Sequence, residues 1–317
     1  MSDGARPSCI RIRIRGGTMT ESVTLRRRKG LKQNEGFWGM FFLAPTIIGF
    51  LIFTIVPVIM SLVYSFHKYD GITAMKYVGL NNYSRLLSNR EFIQSLGNTI
   101  YFAIGTVPIG CFLALFVAVV LNQKIRGRMF YRSCFFVPTI VSMVAISVVF
   151  QQMFNQDYGA INQIIGFFGI PPQSWFASKT QAMPCVIFVT IWKGIGVTIV
   201  IFLAGLTGID SQLYEAAEID GAGPITKFFR ITIPLLRSTI TFVLINNTIG
   251  AFQAFDQIYM LTSGGPAKAT QTVSYLIYQN AFNYWKMGYA SAMAYIMFII
   301  ILIVSIVQLY LSRDEKL

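Results

Sequence analysis

A short polar stretch, LYEAAEID, lies between two long apolar runs and carries three acids within six residues, Glu215, Glu218 and Asp220. Ala216 and Ala217 beside them give a helix a small, smooth surface. A carboxylate on such a surface can pair with an arginine of another protein through a charge-assisted hydrogen bond. The stretch therefore predicts a docking surface for a partner protein. Composition alone leaves a second interpretation open, an ordinary solvated loop.

The residues around these acids predict a helix followed by a tight turn. Asp210 or Ser211 can cap the first helix by accepting a bond from its free backbone N–H groups. Glu215 and Glu218 are expected near the start of this helix, where the helix dipole favours acids. Gly221 is suited to end it in a left-handed conformation.

A second helix is expected over the amphipathic segment ITKFFRITI, inside a loop at residues 207–239. Pro224 suits its first turn, because the N–H that proline lacks would be unpaired there in any case. The helix is expected to stop near Pro234, since a proline ring clashes with the preceding turn of a helix.

A second group of polar residues lies inside the apolar run ITFVLINNTIGAFQAFDQIYML. At about 100° per residue, Asn246, Gly250, Gln253 and Gln257 fall on one narrow stripe of a continuous helix, and Asp256 lies on the same side. Amides with one carboxylate offer both donors and acceptors, which suits the hydroxyls of a sugar. Hydrogen bonding between helices explains such residues equally well, so both interpretations stay open.

Lys193, in TIWKGIG, is a cation inside another apolar run. Charged groups inside a membrane are costly and need a partner or a route to water. Lys193 could face an anionic substrate, pair with Asp256, or extend its amine towards the membrane surface.

These residues are positioned by apolar runs of membrane-spanning length. The chain has 317 residues, of which 54% are hydrophobic and 12% charged, against about 25% charged in soluble domains. The sequence predicts an all-α, polytopic membrane helix bundle with one transmembrane domain at residues 37–311. Six runs approach the roughly 20 residues that span a bilayer: Trp38–Phe66, Asn98–Leu121, Phe135–Phe154, Met183–Leu206, Ile240–Leu261 and Gly288–Leu311.

Positive charge beside the runs predicts the orientation. The N-terminal RRRK and the segment NQKIRGRMFYR, with Lys124, should be cytoplasmic. Six spans then place both termini and the loop at 207–239 in the cytoplasm, and the loops at 67–95, 155–182 and 262–287 outside. The first outer loop conflicts mildly with this rule because it holds four cations: Lys68, Lys76, Arg85 and Arg90.

Several classes of function are disfavoured. The four cysteines (Cys9, Cys111, Cys134 and Cys185) lack metal-ligand or disulfide spacing, and His67 is the single histidine. No G-x-x-x-x-G-K-[ST] loop is present, so the chain does not bind ATP through that motif. We expect no metal, no cofactor and no enzymatic activity. The net charge of +13 lies beside apolar runs, which argues against a nucleic-acid partner.

The two ends of the chain are expected to be cytoplasmic tails. Residues 1–36 are basic and polar and are predicted to be disordered, and residues 312–317 form a short C-terminal tail. Met19 would itself make a sensible start, so residues 1–18 are hypothesised to be an upstream extension of the reading frame.

The motif EAAEIDGAG followed by FFRITIPLL resembles the EAA signature of membrane subunits of binding-protein-dependent ABC importers. The chain is similar to the carbohydrate-import permeases of the maltose and glycerol-3-phosphate type from about Phe37 to its C-terminus. Further matching segments are FLAPTIIGFLIFTIVPVIMSLVYSF, GMFYRSCFFVPTIVS, NQDYGAIN and FDQIYMLTSGGPAKAT. Ile233 stands where a leucine often precedes the proline, which is a conservative change.

The resemblance implies a role for each matching position. The loop would dock in a cleft of a separate ATPase subunit, with its acid paired to a basic residue and its glycine making the turn. We assign this contact to Glu215, Ala216, Ala217, Asp220 and Gly221. The family pattern around TIWKGIG favours a structural role for Lys193. Maltose-type members bind sugar on the corresponding helices, but the polar residues differ here, which argues against maltose itself.

The resemblance also implies partners and a location. The chain would lie in the inner membrane of a bacterium with a second EAA-type permease as a heterodimer, a dimer of ABC ATPase subunits and an extracytoplasmic solute-binding protein. The loop TSGGPAKAT, residues 262–270, either receives the binding protein or is a plain tight turn. The main alternative function is an ion-coupled secondary transporter, which would favour internal repeats and intramembrane acids.

Overall fold

The computed structural model describes residues 32–123 and 125–312, with side chains described from residue 38 onward. The proposed extension at 1–18, most of the predicted N-terminal tail, Lys124 and residues 313–317 lie outside this range. Helix begins at Lys32, earlier than the predicted tail boundary at residue 36. The chain divides into two compact units, Met1–Pro57 and Val58–Leu317.

The described chain is almost entirely helical, which confirms the predicted all-α membrane fold. The α-helices are α1 (Lys32–Phe50), α2 (Val56–Ser65), α3 (Asn81–Leu87), α4 (Arg90–Asn122), α5 (Arg128–Ile140), α6 (Met143–Met153), α7 (Ala160–Gly166), α8 (Ala182–Thr207), α9 (Ser211–Ile219), α10 (Pro224–Lys227), α11 (Ile233–Leu235), α12 (Arg237–Phe252), α13 (Asp256–Leu261), α14 (Val273–Tyr278) and α15 (Met287–Leu311). π-Helical turns cover Leu51–Ile55, Phe228–Thr232 and Gln279–Asn283, and a 3₁₀ turn covers Trp175–Ala177. Strands β1 (His67–Lys68) and β2 (Lys76–Tyr77) form a small antiparallel hairpin.

Prolines are accommodated within the first apolar run. Pro45 lies inside α1, and the π-turn Leu51–Ile55 comes directly before Val56 and Pro57. A π-turn widens the backbone where a proline ring would otherwise clash with the preceding carbonyls. The described side chains of α1 and of the π-turn after it are mostly exposed, including Phe42 and Phe53.

Four helical segments are long and apolar enough to cross a membrane: Trp38–Ser65, Arg90–Asn122, Ala182–Thr207 and Met287–Leu311. Two further pairs of helices are long and apolar enough only when the two members are taken together, and each pair is bent. The bend between Arg128–Ile140 and Met143–Met153 is 98°, and that between Pro224–Leu235 and Arg237–Phe252 is 68°. The described residues therefore give four spans, or six if each bent pair is one span. Six spans and cytoplasmic termini remain predictions.

Two of the predicted runs are not continuous helices. The run Phe135–Phe154 is interrupted at Val141 and Ser142, which have extended ψ angles. The run Ile240–Leu261 is interrupted after Phe252. There the carbonyls of Phe252 and Ala254 accept bonds from the hydroxyls of Ser274 and Thr272, at 3.1 and 3.0 Å. Such side-chain donors satisfy a broken helix inside a membrane.

The core of the second unit is built on the close packing of α4 and α8. Gly105 and Gly110 of α4 face Ile187 and Ile191 of α8, so the two helices run in the same direction. Without a hydrophobic driving force between helices in lipid, small residues favour association because they let backbones approach. We call the end that holds Arg90, where α4 starts, the first end, and the opposite one the second end.

Long-range bonds show which loops share an end. At the first end, Asn98 donates to the carbonyl of Lys268 at 2.9 Å, and the backbone N–H of Gly288 donates to the carbonyl of Tyr69 at 3.1 Å. At the second end, the hydroxyl of Thr241 donates to that of Ser312 at 2.8 Å. The loop after α8 therefore lies at the end of the bundle away from the hairpin β1–β2.

Candidate coupling loop and polar cavity

The predicted helix and turn of the acidic loop are confirmed. The side chain of Asp210 accepts a bond from the N–H of Gln212 at 2.9 Å and caps α9. Gly221 has a φ of +78°, and it donates to the carbonyl of Glu218 at 3.0 Å. Ala222 donates to the carbonyl of Ala217 at 2.8 Å. These two bonds form a Schellman cap, which requires the left-handed residue that glycine supplies.

The prediction that Glu215 and Glu218 lie near the start of the helix is wrong. Helix α9 has no acid in its first turn; Glu215 is central, and Glu218 is in the last turn. The helix dipole disfavours the carboxylate of Glu218 in the last turn of α9. A salt bridge of 2.6 Å to the amine of Lys227 offsets this cost. The hydrogen bond from Lys227 holds the pKa of Glu218 below its usual value.

The second helix ends near Pro234, as the sequence predicts. Pro224 starts α10 as expected, and the helical path continues through the π-turn Phe228–Thr232 into α11, which ends at Leu235. The π-turn widens the segment that a proline ring would clash with, as it does before Pro57. The bend of 68° follows, before Arg237.

We call residues 210–224 the elbow. Glu215, Ala216, Asp220 and Gly221 are exposed, and Ala217 is half-buried. Glu215 and Asp220 have no side-chain bond or salt bridge within the described residues, whereas Glu218 is paired inside the chain. The carboxylates of Glu215 and Asp220 are thus accessible to a basic group of another molecule.

Exposed apolar side chains accompany these acids, a feature that the sequence reading missed. Ile219 is 88% exposed, Ile225 75% and Phe229 64%. Large apolar groups next to charged ones at a surface are typical of protein interaction sites. Ile219, directly before Asp220 and Gly221, could have indicated this surface from the sequence. A helix end that faces only water does not need a large apolar side chain at that position.

The elbow and the segment that follows it are held against the membrane helices by two contacts. The hydroxyls of Tyr214 and Thr232 lie 2.9 Å apart and join α9 to the segment before α12. Leu236 is 1% exposed, and a Cβ on Gly205 of α8 would lie 2.9 Å from its Cδ2. This packing leaves no free space between α8 and the start of α12.

A polar cavity of about 220 Å³ lies farther along α12, between α4, α8 and α13. Its polar lining residues are Thr106, Thr190, Thr198, Asn246, Asn247 and Gln257. Two of them were predicted for the substrate path, Asn246 and Gln257, and the sequence reading missed the others. The threonines were hidden among apolar residues on separate runs, so only packing brings them together.

The amides of Asn246 and Gln257 have no side-chain hydrogen bond to any described residue. Asn247 instead contacts the Sγ of Cys111 at 3.4 Å, and Thr106 and Thr190 donate to carbonyls of their own helices. The cavity therefore presents two uncommitted amides, each with donors and an acceptor for a polar solute.

Gln253 and Asp256 do not line this cavity, contrary to the single stripe predicted. The helix breaks after Phe252, so Gln253 caps α12 and Asp256 starts α13. Both side chains are exposed. The N-terminal position of Asp256 is favoured by the dipole of the helix it starts, which offers a local reason for an acid there.

Lys193 bonds within the bundle and is not among the residues lining the polar cavity. Its amine donates to the carbonyl of Thr139 at 3.4 Å, and its own carbonyl accepts from the hydroxyl of Thr139 at 3.2 Å. Thr139 lies in the last turn of α5, where a cation compensates free carbonyls. Within the described residues Lys193 makes no ion pair with Asp256. These contacts favour the structural role.

The loop at 262–270 is a tight turn, as predicted. The N–H of Gly265 donates to the carbonyl of Thr262 at 2.9 Å, and Gly264 has a φ of +78°. Lys268 forms a salt bridge of 2.8 Å with Glu91 of α4. The turn is thereby fixed against the first end of the bundle.

Residues 106–316 match the family described as the binding-protein-dependent transport system inner membrane component. The chain belongs to this family. The permease is 39% identical over 280 residues to the probable ABC transporter permease protein YesP of Bacillus subtilis, covering 87% of this chain and 90% of that protein. It is 36% identical over 278 residues to the multiple sugar-binding transport system permease protein MsmF of Streptococcus mutans, covering 87% and 96%.

Solved structures support the same fold for the permease. A bacterial ABC transporter involved in the import of the acidic polysaccharide alginate matches with a TM-score of 0.79 at 22% identity, covering 90% of this chain and 99% of that one. The alginate transporter in complex with an alginate-bound periplasmic protein matches with a TM-score of 0.80, covering 89% and 96%. The prediction of a multi-pass transport permease of the ABC class is therefore confirmed.

Proposed function

We propose that this permease is one half of the translocation pathway of an ATP-driven bacterial importer for a sugar or sugar-like solute. The observation that carries the proposal is the exposed, capped elbow, with two carboxylates free to pair and a packed connection to α12. Family membership in a binding-protein-dependent system argues against the ion-coupled alternative. The second end, with the elbow, is the cytoplasmic one in this proposal.

The substrate class follows from the relatives and from the polar cavity. Proteins named for multiple sugars and for lactose are 36% and 35% identical to the permease. The uncommitted amides of Asn246 and Gln257 supply the donors and acceptors that sugar hydroxyls require. The cavity of a single chain forms one wall of the pathway, and a second EAA-type permease supplies the other.

The elbow couples the pathway to a separate ATPase dimer. Glu215 pairs with a basic residue of the ATPase, the small side chains of Ala216 and Ala217 allow close approach, and Gly221 holds the turn. The exposed Ile219 adds apolar contact. When ATP closes the ATPase dimer, the elbow moves as a unit and Leu236 carries the displacement into α12, which lines the cavity. Coupling of this kind needs a contact that persists in both states.

The extracytoplasmic partner is a solute-binding protein that delivers the sugar to the first end. The tight turn at 262–270 is the candidate contact, because it is fixed to α4 and keeps Lys268 about half exposed, at 54% of its side chain. A solved relative in the alginate system was determined with its periplasmic protein bound.

The experiment that tests coupling compares two acids of the elbow. Glu215→Ala should lower copurification of the ATPase and ATP-driven uptake by more than about tenfold, because it removes a charge-assisted bond at the interface. Glu218→Gln is the matched control, since Glu218 is paired within the chain. Normal association and uptake in the Glu215 variant would contradict the docking role.

A further inference from the structure

A separate cavity of about 640 Å³ lies at the first end, away from the polar cavity. Its walls come from the hairpin β1–β2, helix α3 and the turn before α15. Asn82 fixes two of these walls by donating to the carbonyls of Ser65 and His67 at 2.8 and 3.0 Å. Asn89 donates to the hydroxyl of Tyr289 at 2.9 Å and joins α15 to them. The cavity is therefore a built part of the fold, and we call it the basic cavity.

Its charge is positive and unbalanced. Four cations line it, Lys68, Lys76, Arg85 and Lys286, with two acids, Asp70 and Glu91.

Both acids are already engaged. Asp70 accepts bonds from the N–H of Thr73 at 2.7 Å and of Ile72 at 3.0 Å. Glu91 pairs with Lys268 at 2.8 Å and accepts from Gln271 at 3.1 Å. Within the described part of the chain, none of the four lining cations makes a salt bridge. The four cations outnumber the two acids, so an anion entering the basic cavity would meet a net positive charge.

The same cavity is rich in aromatic side chains, namely Tyr69, Tyr284, Trp285 and Tyr289. The guanidinium of Arg85 lies 5.8 Å from the ring centre of Tyr289, and the amine of Lys286 lies 5.6 Å from that of Tyr284. These contacts orient the cations beside the rings. Aromatic faces next to cations and amides suit a ring-shaped polar ligand that carries an acid.

Trp285 is held in an unfavourable conformation at this site. Its φ is +53°, in the left-handed region that bulky residues avoid, and its side chain remains 54% exposed. Backbone bonds on both sides fix it: Tyr284 donates to the carbonyl of Gln279 at 2.9 Å, and Lys286 donates to that of Asn280 at 2.7 Å. Strain of this kind is concentrated at ligand sites, where the surrounding structure maintains it.

The position of the cations also requires an explanation. By the positive-inside rule, Lys and Arg are rare in short loops on the outer side of a membrane. If the second end is cytoplasmic, Lys68, Lys76 and Arg85 nevertheless lie on the outer side. A ligand-binding role gives a reason to keep them. It resolves the mild conflict that the first outer loop posed for the predicted topology.

We propose that the basic cavity binds a carboxylate-bearing saccharide, a uronate, at the extracytoplasmic face. Arg85 and the lysines pair with the carboxylate, Trp285 packs on the sugar ring, and Asn81 or Asn89 contacts hydroxyls. A saccharide is favoured over an acidic protein loop because the site is concave, has four rings and has a volume typical of small-ligand pockets, about 300–1,000 Å³. The biological setting rests on the proposed import function, but the binding itself does not.

The test measures binding to the full-length permease with its partner subunits in phosphatidylcholine nanodiscs, without ATP. The probes are digalacturonate and dimannuronate, each beside its neutral counterpart, galactobiose and mannobiose. We expect at least one acidic probe to bind about tenfold or more tightly than its neutral counterpart, and more weakly as salt rises.

Variants locate the site. Arg85→Gln and Trp285→Ala should each weaken the acidic probe about tenfold. Lys179→Gln, an exposed lysine that does not line the basic cavity, is the matched control and should leave binding unchanged. Because Arg85 is exposed, its replacement keeps the fold, which thermal unfolding checks.

Three results would overturn the proposal: no preference for the acidic probes, a preference that survives in the Arg85 variant, or no binding of any probe. Loss of affinity for the solute-binding protein in the Arg85 variant, without sugar binding, would assign the cavity to that protein instead. Competition by phosphatidylglycerol, without sugar binding, would assign it to lipid. Because the assay needs no ATP, its outcome does not depend on whether the elbow couples ATP hydrolysis to transport.

Discussion

The elbow at residues 210–224 is held by bonds between neighbours in sequence, whereas the polar cavity is enclosed by four helices that contribute residues from 102 to 257. Asp210 caps α9 through a bond to the N–H of Gln212, two residues along the chain. Gly221 and Ala222 end the helix through bonds that reach back no more than five residues. Asn246 and Gln257, in contrast, meet Thr106 and Thr198 only through packing.

This difference assigns the two regions different mechanical behaviour. A locally bonded elbow keeps its shape when it is displaced, so it can transmit motion as a rigid unit. A cavity enclosed by separate helices changes shape when any one of them moves. In the proposed mechanism, motion of the elbow reaches the cavity through the packed contact between Leu236 and Gly205.

Breaking that contact is expected to have the largest effect. Gly205→Leu would force side-chain atoms against Leu236 and Thr239, since a Cβ at this position already lies 2.7 Å from the Oγ1 of Thr239. Overpacking of this kind costs about 1–3 kcal/mol. We expect ATP-driven uptake to be lost while the ATPase still copurifies. Retained uptake would show that the elbow drives the cavity by another route; Gly223→Ala, which meets nothing nearby, is the control.

Weakening the elbow itself should have the next largest effect. Gly221→Val places a β-branched residue at a φ of +78°, which costs about 1–3 kcal/mol in the cap. We expect ATPase copurification to fall about tenfold, while solute affinity, which we propose is set in the polar cavity, is unchanged. A parallel loss of solute affinity would contradict the separation of the two regions.

Changing the cavity should have the complementary outcome. Asn246→Ala with Gln257→Ala removes two uncommitted amides and should lower solute affinity by about 1–3 kcal/mol, with assembly intact. Gln253→Ala is the control, because Gln253 is exposed and does not line the cavity. Loss of assembly would favour helix packing as the role of these amides.

The smallest effect concerns the salt bridge between Glu218 and Lys227. The lowered pKa of Glu218 means that the charged form is favoured in the folded elbow. Its stabilisation is therefore fully present above the ordinary glutamate pKa of about 4.3 and is lost as the pH falls through the lowered value. Glu218→Gln should reduce amide-exchange protection of the elbow slightly at pH 7 and not at pH 2.5. An equal reduction at both values would exclude this pair as the cause.

Sequence reasoning succeeded where structure depends on neighbours and failed where it depends on distant residues. The caps at Asp210, Gly221 and Pro224 were predictable because a few consecutive residues determine them. The break after Phe252 was not, since no proline or glycine follows directly and the freed carbonyls are satisfied by Thr272 and Ser274. The predicted stripe, which included Gln253 with Asp256 on the same side, was lost for that reason.

Lys193 and Pro234 show two further limits. The amine of Lys193 bonds to Thr139, which lies 54 residues earlier, so its sequence neighbours carried no sign of the partner. The helix end near Pro234 was predictable, whereas the π-turn Phe228–Thr232 that accommodates the proline ring was not. The basic cavity was visible only as an unexplained set of cations in an outer loop.

The most direct measurement of the central claim is site-specific photo-crosslinking from Ala216 in the assembled transporter in membranes. A photoreactive residue at this exposed position should crosslink to the ATPase subunit both without nucleotide and with ATP bound, because the elbow must stay docked in both states. Crosslinking to the solute-binding protein, labelling of Ala216→Cys from outside the cell, or the absence of any ATPase adduct in both states would contradict the account.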